Sequence, residues 1–101
     1  MISIMIAPTF LSVQGHAGYN PGNDIVCAAV SALVQTFEMS AREFTTDKIT
    51  SSMEDGNAVV AWPRAPTKEL SLLIDSTCLG LLRIAGSYPE NIKVTCTRVG
   101  A

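Results

Sequence analysis

Positive charge is missing from the first part of the chain. Residues 1–41 contain no lysine or arginine, and all seven basic residues lie from Arg42 onward. The formal net charge is −2. Proteins that bind nucleic acids use clustered lysines and arginines to neutralise phosphates, and this sequence has no such cluster. We therefore expect no direct nucleic-acid partner.

Cysteine and histidine are also scarce. The chain has three cysteines, one histidine and no Cys-x-x-Cys pair. An odd number of cysteines without close pairing argues against a disulfide framework and for reduced thiols in the cytoplasm. A zinc site would need the histidine and all the cysteines, none of which has the close ligand spacing of structural zinc sites. We expect no metal and no cofactor, and we expect Cys78 and Cys96 to lie in the core.

Long apolar runs are the third feature that the sequence lacks. We expect that no stretch of the sequence has the length of a transmembrane helix. The apolar start, residues 1–13, is interrupted by Pro8 and has no basic leading region and no small-residue cleavage site of the kind found in signal peptides. We interpret this start as strand and expect no membrane partner.

Apolar residues are nevertheless sufficient for one compact domain, which we place at residues 1–101. Hydrophobic residues make up 48% of the chain and charged residues 16%, a balance typical of a protein with a buried core. Ile2, Ile4 and Ile6 alternate with other residues, which is the period of a strand. The residues after Asp24 are apolar around most of a helical circumference, which is typical of a largely buried helix.

The complete pattern predicts seven elements. Strands are expected at 2–7, 10–14, 44–52, 58–62 and 92–97, and helices at 24–42 and 67–86. A turn over residues 54–57 joins the third and fourth strands. The order strand-strand-helix-strand-strand-helix-strand predicts an α+β fold with two helices packed on a mixed sheet.

One segment combines residue types that carry chemistry. His16 lies in the glycine-rich loop of residues 15–23, and Cys27 falls in the first turn of the next helix if Asp24 is the N-cap. The electropositive start of a helix favours a thiolate, and a nearby imidazole can take the thiol proton. Unpaired N–H groups at residues 26–28 could then bind an oxyanion. The segment predicts a nucleophile at Cys27 and a general base and acid at His16.

The same residues allow simpler interpretations, which residue types alone leave open. Cys27 could be a structural cysteine beside an incidental loop histidine. Asp24 could be only an N-cap, or it could orient His16 as the third member of a triad. Ser31, one helical turn beyond Cys27, could line the site or bond back to the helix backbone. Trp62 is more typical of a core edge than of a substrate contact.

The sequence of residues 15–33, GHAGYNPGNDIVCAAVSAL, resembles the signature of the Prp family, the bacterial ribosomal-processing cysteine proteases. That signature has a Gly-His-Ala loop, followed by Asp-Ile-Val-Cys-Ala and a serine one turn later. The matching positions are Gly15, His16, Ala17, Asp24, Ile25, Val26, Cys27, Ala28 and Ser31. The rest of the chain is similar to the family in length and in order of elements.

The resemblance implies a cysteine endopeptidase that acts as a homodimer, with a thioester formed on Cys27 and His16 as its partner. The implied substrate is a short N-terminal extension of a bacterial large-subunit ribosomal protein, cut after an aromatic residue. Asp24 and Ser31 match positions with possible supporting roles. A loop with several glycines could rearrange over a bound peptide. The residues of this expected substrate loop are Gly15, Ala17, Gly18, Tyr19 and Gly22.

Two rival functions remain open in the sequence. Similar proteins occur in phages, where a processing peptidase would act on a phage structural protein. A non-catalytic ribosome-assembly factor would bind the extension through the same loop without cutting it. Alkylation-sensitive cleavage of a peptide that spans the junction would separate a protease from an assembly factor.

Overall fold

The computed structural model describes residues 1–20 and 24–97. Within these ranges the chain forms five strands and two helices. They are β1 (Ile2–Ile6), β2 (Phe10–Gln14), α1 (Ile25–Phe44), β3 (Thr50–Glu54), β4 (Asn57–Ala61), α2 (Lys68–Ser87) and β5 (Ile92–Cys96). The predicted order of elements and the α+β class are confirmed.

The strands form one mixed sheet in the order β3-β4-β2-β1-β5. β1 pairs with β5 in parallel, and the other neighbouring strands are antiparallel. The three isoleucines of β1 are buried and the residues between them are exposed, as the period-two pattern predicts. β2 pairs with β4 so that Gln14 lies opposite Asn57. The loop that follows β2 therefore starts beside the β3–β4 turn.

Both helices pack on each other and contribute to a single core with the sheet. Their buried residues recur three or four positions apart, which places them on one side of each helix. In α1 these residues are Val26, Val30, Val34, Phe37 and Ala41. In α2 they are Leu70, Ile74, Thr77, Cys78 and Leu81.

Trp62 closes one end of this core, as predicted. It is 5% exposed, and its ring meets that of Phe37 edge-on at 5.7 Å between centroids. Its indole N–H donates to the carbonyl of Pro8 at 2.9 Å. The indole is therefore satisfied within the fold, as a buried tryptophan requires.

The segment after α1 differs from the prediction of a strand from Phe44. The helix continues to Phe44, and β3 begins only at Thr50. The hydroxyl of Thr45 donates to the carbonyl of Ala41, and the Asp47 carboxylate accepts the N–H of Thr67 at the start of α2. Strand propensity suggested β structure here, but these local polar contacts hold the segment as a loop.

The cysteines outside the first helix have different environments. Cys78 is buried, as predicted, but the prediction that Cys96 lies in the core is wrong because its side chain is exposed. β5 is an edge strand in which only Ile92 is fully buried. Alternation alone overestimates burial at the edge of a sheet, where less of each residue is covered.

The expectation that no stretch has the length of a membrane span fails for α2. Among the described residues, this one helix is long and apolar enough to cross a bilayer by length and composition. One side of α2 forms the core against the sheet and α1. Its other side carries exposed apolar residues, including Leu72 and Leu79, so core packing accounts for only part of its apolar composition.

Candidate active site

Cys27 lies in the first turn of α1, where the sequence places it. Asp24 is the N-cap, with extended backbone, and one of its carboxylate oxygens (Oδ1) accepts the N–H groups of Val26 at 2.9 Å and Cys27 at 3.0 Å. Such caps satisfy donors that a helix start would otherwise leave unpaired. The Cys27 side chain is partly buried against the core. The thiol is therefore neither sealed away nor fully exposed.

The second carboxylate oxygen of Asp24 (Oδ2) holds the preceding loop. It accepts the N–H of Tyr19 at 3.0 Å and the N–H of Asn20 at 3.3 Å. Partial desolvation acts to raise the pKa of Asp24, but the backbone hydrogen bonds together outweigh it and keep that pKa below its ordinary value of 3.8. One ionised side chain thus ties the loop to the start of the helix.

Acid is expected to release this loop locally. Because the pKa of Asp24 is lower in the fold than its ordinary 3.8, its contribution to stability is present above that value and is lost as the pH falls through the lower, folded value. Amide hydrogen exchange at Tyr19 and Asn20, followed by NMR from pH 6 downward, measures this release. Asp24→Asn keeps a good N-cap but removes the titrating charge. A release curve unchanged in Asp24→Asn would contradict the assignment.

Ala17 brings the loop into direct contact with the cysteine. Its backbone N–H donates to the Cys27 sulfur at 3.3 Å, and its methyl group is buried. Its carbonyl accepts a hydrogen bond from the side-chain amide of Asn91 at 2.9 Å. The residue next to the histidine is therefore fixed between α1 and the turn that precedes β5.

His16 follows β2, and its ring lies against the tip of the β3–β4 hairpin. A Cβ atom added at Gly56 would come within 2.9 Å of the His16 ring nitrogen Nε2, so the turn touches the imidazole only because residue 56 is glycine. The preceding residue, Gly15, has φ +89° and donates its N–H to the Gly56 carbonyl at 2.9 Å. A Cβ at Gly15 would meet the Met1 carbonyl oxygen at 2.5 Å. Glycine at both positions allows the histidine to sit here.

The structure brings the two predicted catalytic residues into one cleft. His16, Cys27, Ser31 and Gly15 all line a space of about 110 Å³ between α1, the end of β2 and the β3–β4 hairpin. Ser31 therefore lines the site, which was one of its two open interpretations. The hairpin contributes residues 54–58 to the same cleft.

The structure also gives the surroundings of the other predicted site residues, whose functional roles stay predictions. Asp24 is an N-cap and a loop anchor, and no hydrogen bond joins it to His16 within the described part of the chain. Tyr19 packs edge-on against Tyr88 with ring centroids 5.2 Å apart. Gly18 has φ +70° and no atom near its Cβ position. Gly22 lies outside the described residues.

One expectation about the helix start is wrong. The N–H groups of residues 26–28 were expected to be free for an oxyanion. Val26 and Cys27 instead donate to the Asp24 carboxylate, and Ala28 donates to the Asp24 carbonyl at 3.1 Å. The sequence identified the cap correctly, but the cap itself occupies these donors.

Sequence reasoning missed the hairpin tip and Asn91. The Asp55–Gly56 turn was predicted, yet nothing in the sequence says that β4 pairs with β2 and so carries the turn to His16. Asn91 lies 74 positions from Ala17, too far along the chain for a local sequence pattern to connect the two. Within residues 1–20 and 24–97, no group of three or more potential metal-ligating side chains is present.

One family model matches most of the chain. The family model described as the cysteine protease Prp matches residues 1–93. No curated protein sequence matches the chain.

Solved structures share the fold over almost the whole chain. Two are of the essential ribosomal processing protease Prp from S. aureus, with a covalently linked product peptide (TM-score 0.89) and with a substrate peptide (TM-score 0.84). Both are 24% identical, covering 96% of this chain and 100% of theirs. A Streptococcus mutans protein has a TM-score of 0.74 at 23% identity, covering 96% of this chain and 92% of its own.

Proposed function

Because the chain belongs to the family of the cysteine protease Prp, we propose that it removes a short N-terminal extension from a bacterial large-subunit ribosomal protein, using Cys27 and His16. The observation that carries the proposal is that these two side chains line one cleft at the start of α1. The S. aureus proteins of the same fold are ribosomal processing proteases with bound substrate or product peptide. That supports a peptide of the same origin as substrate here.

The proposed reaction is acyl transfer to sulfur followed by hydrolysis. The Cys27 thiolate attacks the scissile carbonyl, and His16 holds the proton that came from the thiol. His16 then gives this proton to the leaving amine, and the acyl group remains on Cys27 as a thioester. A water molecule, deprotonated by His16, hydrolyses the thioester and restores the free thiol.

The cleft is continuous with a longer groove that suits an extended peptide. A space of about 300 Å³ lies between α1 and the β3–β4 hairpin, and it shares Val30, Ser31 and Glu54 with the cleft at Cys27. A peptide that lay along this groove would bring its scissile bond to the sulfur. The loop of residues 15–20 borders the other side of Cys27 through Ala17. In this proposal the outer part of the loop, beyond Ala17, moves to admit the peptide and then closes over it.

We also propose that the enzyme is a homodimer in the cytoplasm. The outer side of α2 carries large apolar side chains in solvent, including Leu72 and Leu79, each 70% exposed, and Leu82, 46% exposed. Contiguous exposed apolar surface of this kind favours association. All three cysteines are free thiols, which suits a reducing compartment.

A cleavage assay tests the proposed function. The probe is a synthetic peptide that spans the extension junction of a bacterial large-subunit ribosomal protein, with an aromatic residue before the scissile bond. We expect mass spectrometry to find a single cut, and we expect prior treatment of the protein with iodoacetamide to abolish it. Binding of the intact peptide without any cut would instead favour the ribosome-assembly factor.

A further inference from the structure

The hydrogen bonds at the start of α1 bear on which N–H group binds the oxyanion that forms during peptide cleavage. Peptide cleavage by a thiolate places negative charge on the former carbonyl oxygen, and enzymes bind that charge with fixed N–H donors. The first donors of α1 are not free, because Val26 and Cys27 donate to the Asp24 carboxylate and Ala28 donates to the Asp24 carbonyl. These three N–H groups are therefore engaged at the cap, which makes a donor on a neighbouring element the better candidate for the oxyanion.

The loop offers one N–H group at the right place. Two of its donors are occupied, since Tyr19 and Asn20 donate to the second oxygen of Asp24. The N–H of Ala17 instead donates to the Cys27 sulfur at 3.3 Å. In the tetrahedral intermediate the charged oxygen sits on the carbon that is bonded to this sulfur. A donor already directed at the sulfur needs only a small shift to reach that oxygen.

We propose that the backbone N–H of Ala17 is the oxyanion donor of this protease, and that Asn91 is the residue that positions it. The inference rests on the proposed function and adds to it a group that the helix start was expected to supply. In the resting enzyme the N–H is held on the sulfur. During the reaction its hydrogen bond shifts from the sulfur to the developing oxyanion.

A hydrogen bond to the carbonyl of Ala17 fixes the orientation of this residue. The Asn91 side-chain amide donates to the Ala17 carbonyl at 2.9 Å. Asn91 is itself fixed, because its N–H donates to the Tyr88 carbonyl at 3.0 Å and its carbonyl accepts the N–H of Ile2 at 2.8 Å. The Ala17 methyl group is 2% exposed. Donors that are held in place before the reaction stabilise the transition state without a cost of reorganisation.

The step balances as follows. The sulfur of Cys27 forms a bond to the carbonyl carbon, and the π electron pair of the C=O bond moves to oxygen, where the Ala17 N–H binds it. The C=O bond then re-forms as the C–N bond breaks. The amine leaves with the proton that His16 had taken from the thiol, and the Ala17 N–H returns to the sulfur when water has released the acid.

The test replaces one amide by an ester in the full-length protein. Total chemical synthesis of the 101-residue chain with the hydroxy-acid analogue of alanine at position 17 removes this N–H and keeps the side chain. On the junction peptide we expect kcat to fall by about 100-fold, the usual effect of losing one oxyanion donor, with little change in KM. Alkylation by iodoacetamide uses the same thiolate but forms no oxyanion, so its rate reports only the loss of the hydrogen bond to the sulfur, and we expect it to change far less than kcat.

A matched control removes a different loop N–H. The ester at Asn20 takes away a hydrogen bond to Asp24 that holds the same loop, and we expect kcat to fall much less than in the Ala17 ester. Equal losses in both esters would show a loop-ordering effect and overturn the proposal. Full activity in the Ala17 ester would also overturn it while the proposed function stood. An all-amide protein that does not cut the peptide would instead refute the proposed function.

Conventional mutagenesis tests the positioning role of Asn91. Asn91→Asp keeps the size of the side chain and removes the N–H donor to Ala17. We expect kcat to fall at least about tenfold with KM nearly unchanged, as for a residue that orients a catalytic group by one hydrogen bond, and a lower melting temperature because the new carboxylate repels the Ala17 carbonyl. An unchanged kcat in Asn91→Asp, with Ala17 amide exchange also unchanged, would remove Asn91 from the proposal.

Discussion

Cys27→Ala is expected to abolish cleavage of the junction peptide and to leave the fold intact. The proposed reaction has no nucleophile without this sulfur, and loss of a nucleophile lowers kcat on the order of 10⁶-fold, which is below detection in a peptide assay. The side chain is only partly buried, so its loss leaves no sealed cavity. Cleavage is measured by mass spectrometry and folding by circular dichroism on the same sample.

The chain offers a matched control for this variant. Cys96 is the exposed cysteine of edge strand β5, and Cys96→Ala should keep full activity and full sensitivity to iodoacetamide. Cys78 is a poorer control because it is buried, and its replacement affects the core. A folded Cys27→Ala protein that still cuts the peptide would end the proposal that Cys27 is the nucleophile.

His16→Gln should lower kcat by roughly 1,000-fold, within the range that a general acid and base contributes. Glutamine keeps a polar side chain at the hairpin tip but cannot exchange a proton with the thiol or the leaving amine. The measurement is kcat on the junction peptide, with Cys27 labelling to verify that the thiol is still accessible. Activity within a few fold of the unmodified chain would exclude His16 as the base.

Gly56→Ala tests the position of the imidazole without removing it. The new Cβ would lie 2.9 Å from Nε2 of His16, and the backbone at Gly56 has φ +74°. The ring must move away from its present place, and small displacements of a reacting group lower rates by up to about 100-fold. We expect a loss smaller than that of His16→Gln. The double variant should be no worse than His16→Gln alone, since both changes act on the same group.

Much of the candidate site could be predicted from residues 15–33. Asp24 has the side chain and position of an N-cap, and Cys27 follows three residues later in the first turn, as local helix rules require. His16 was marked as the single histidine in a glycine-rich loop. The cap and the helical position of Cys27 are confirmed because they depend on short-range geometry, and the catalytic roles of Cys27 and His16 stay predictions.

The other parts of the candidate site could not be predicted, because they depend on which strands pair and on which groups form each hydrogen bond. Sequence periodicity marks the Asp55–Gly56 turn but cannot show that β4 lies beside β2, which carries this turn to His16. The contact of Asn91 with Ala17 joins distant parts of the chain. The occupied donors of α1 follow from the predicted cap itself, because an N-cap carboxylate accepts the N–H groups of the first turn.

The capping arrangement at Asp24 bears on how inhibitors would act. Aldehydes and ketones that add reversibly to Cys27 create a charged or polar oxygen that also needs an N–H partner, and the helix amides are already engaged. Their affinity should therefore depend on the Ala17 N–H group of the loop. Chloroacetamides and related alkylating agents make no such oxygen, so their potency should be far less sensitive to the same loop.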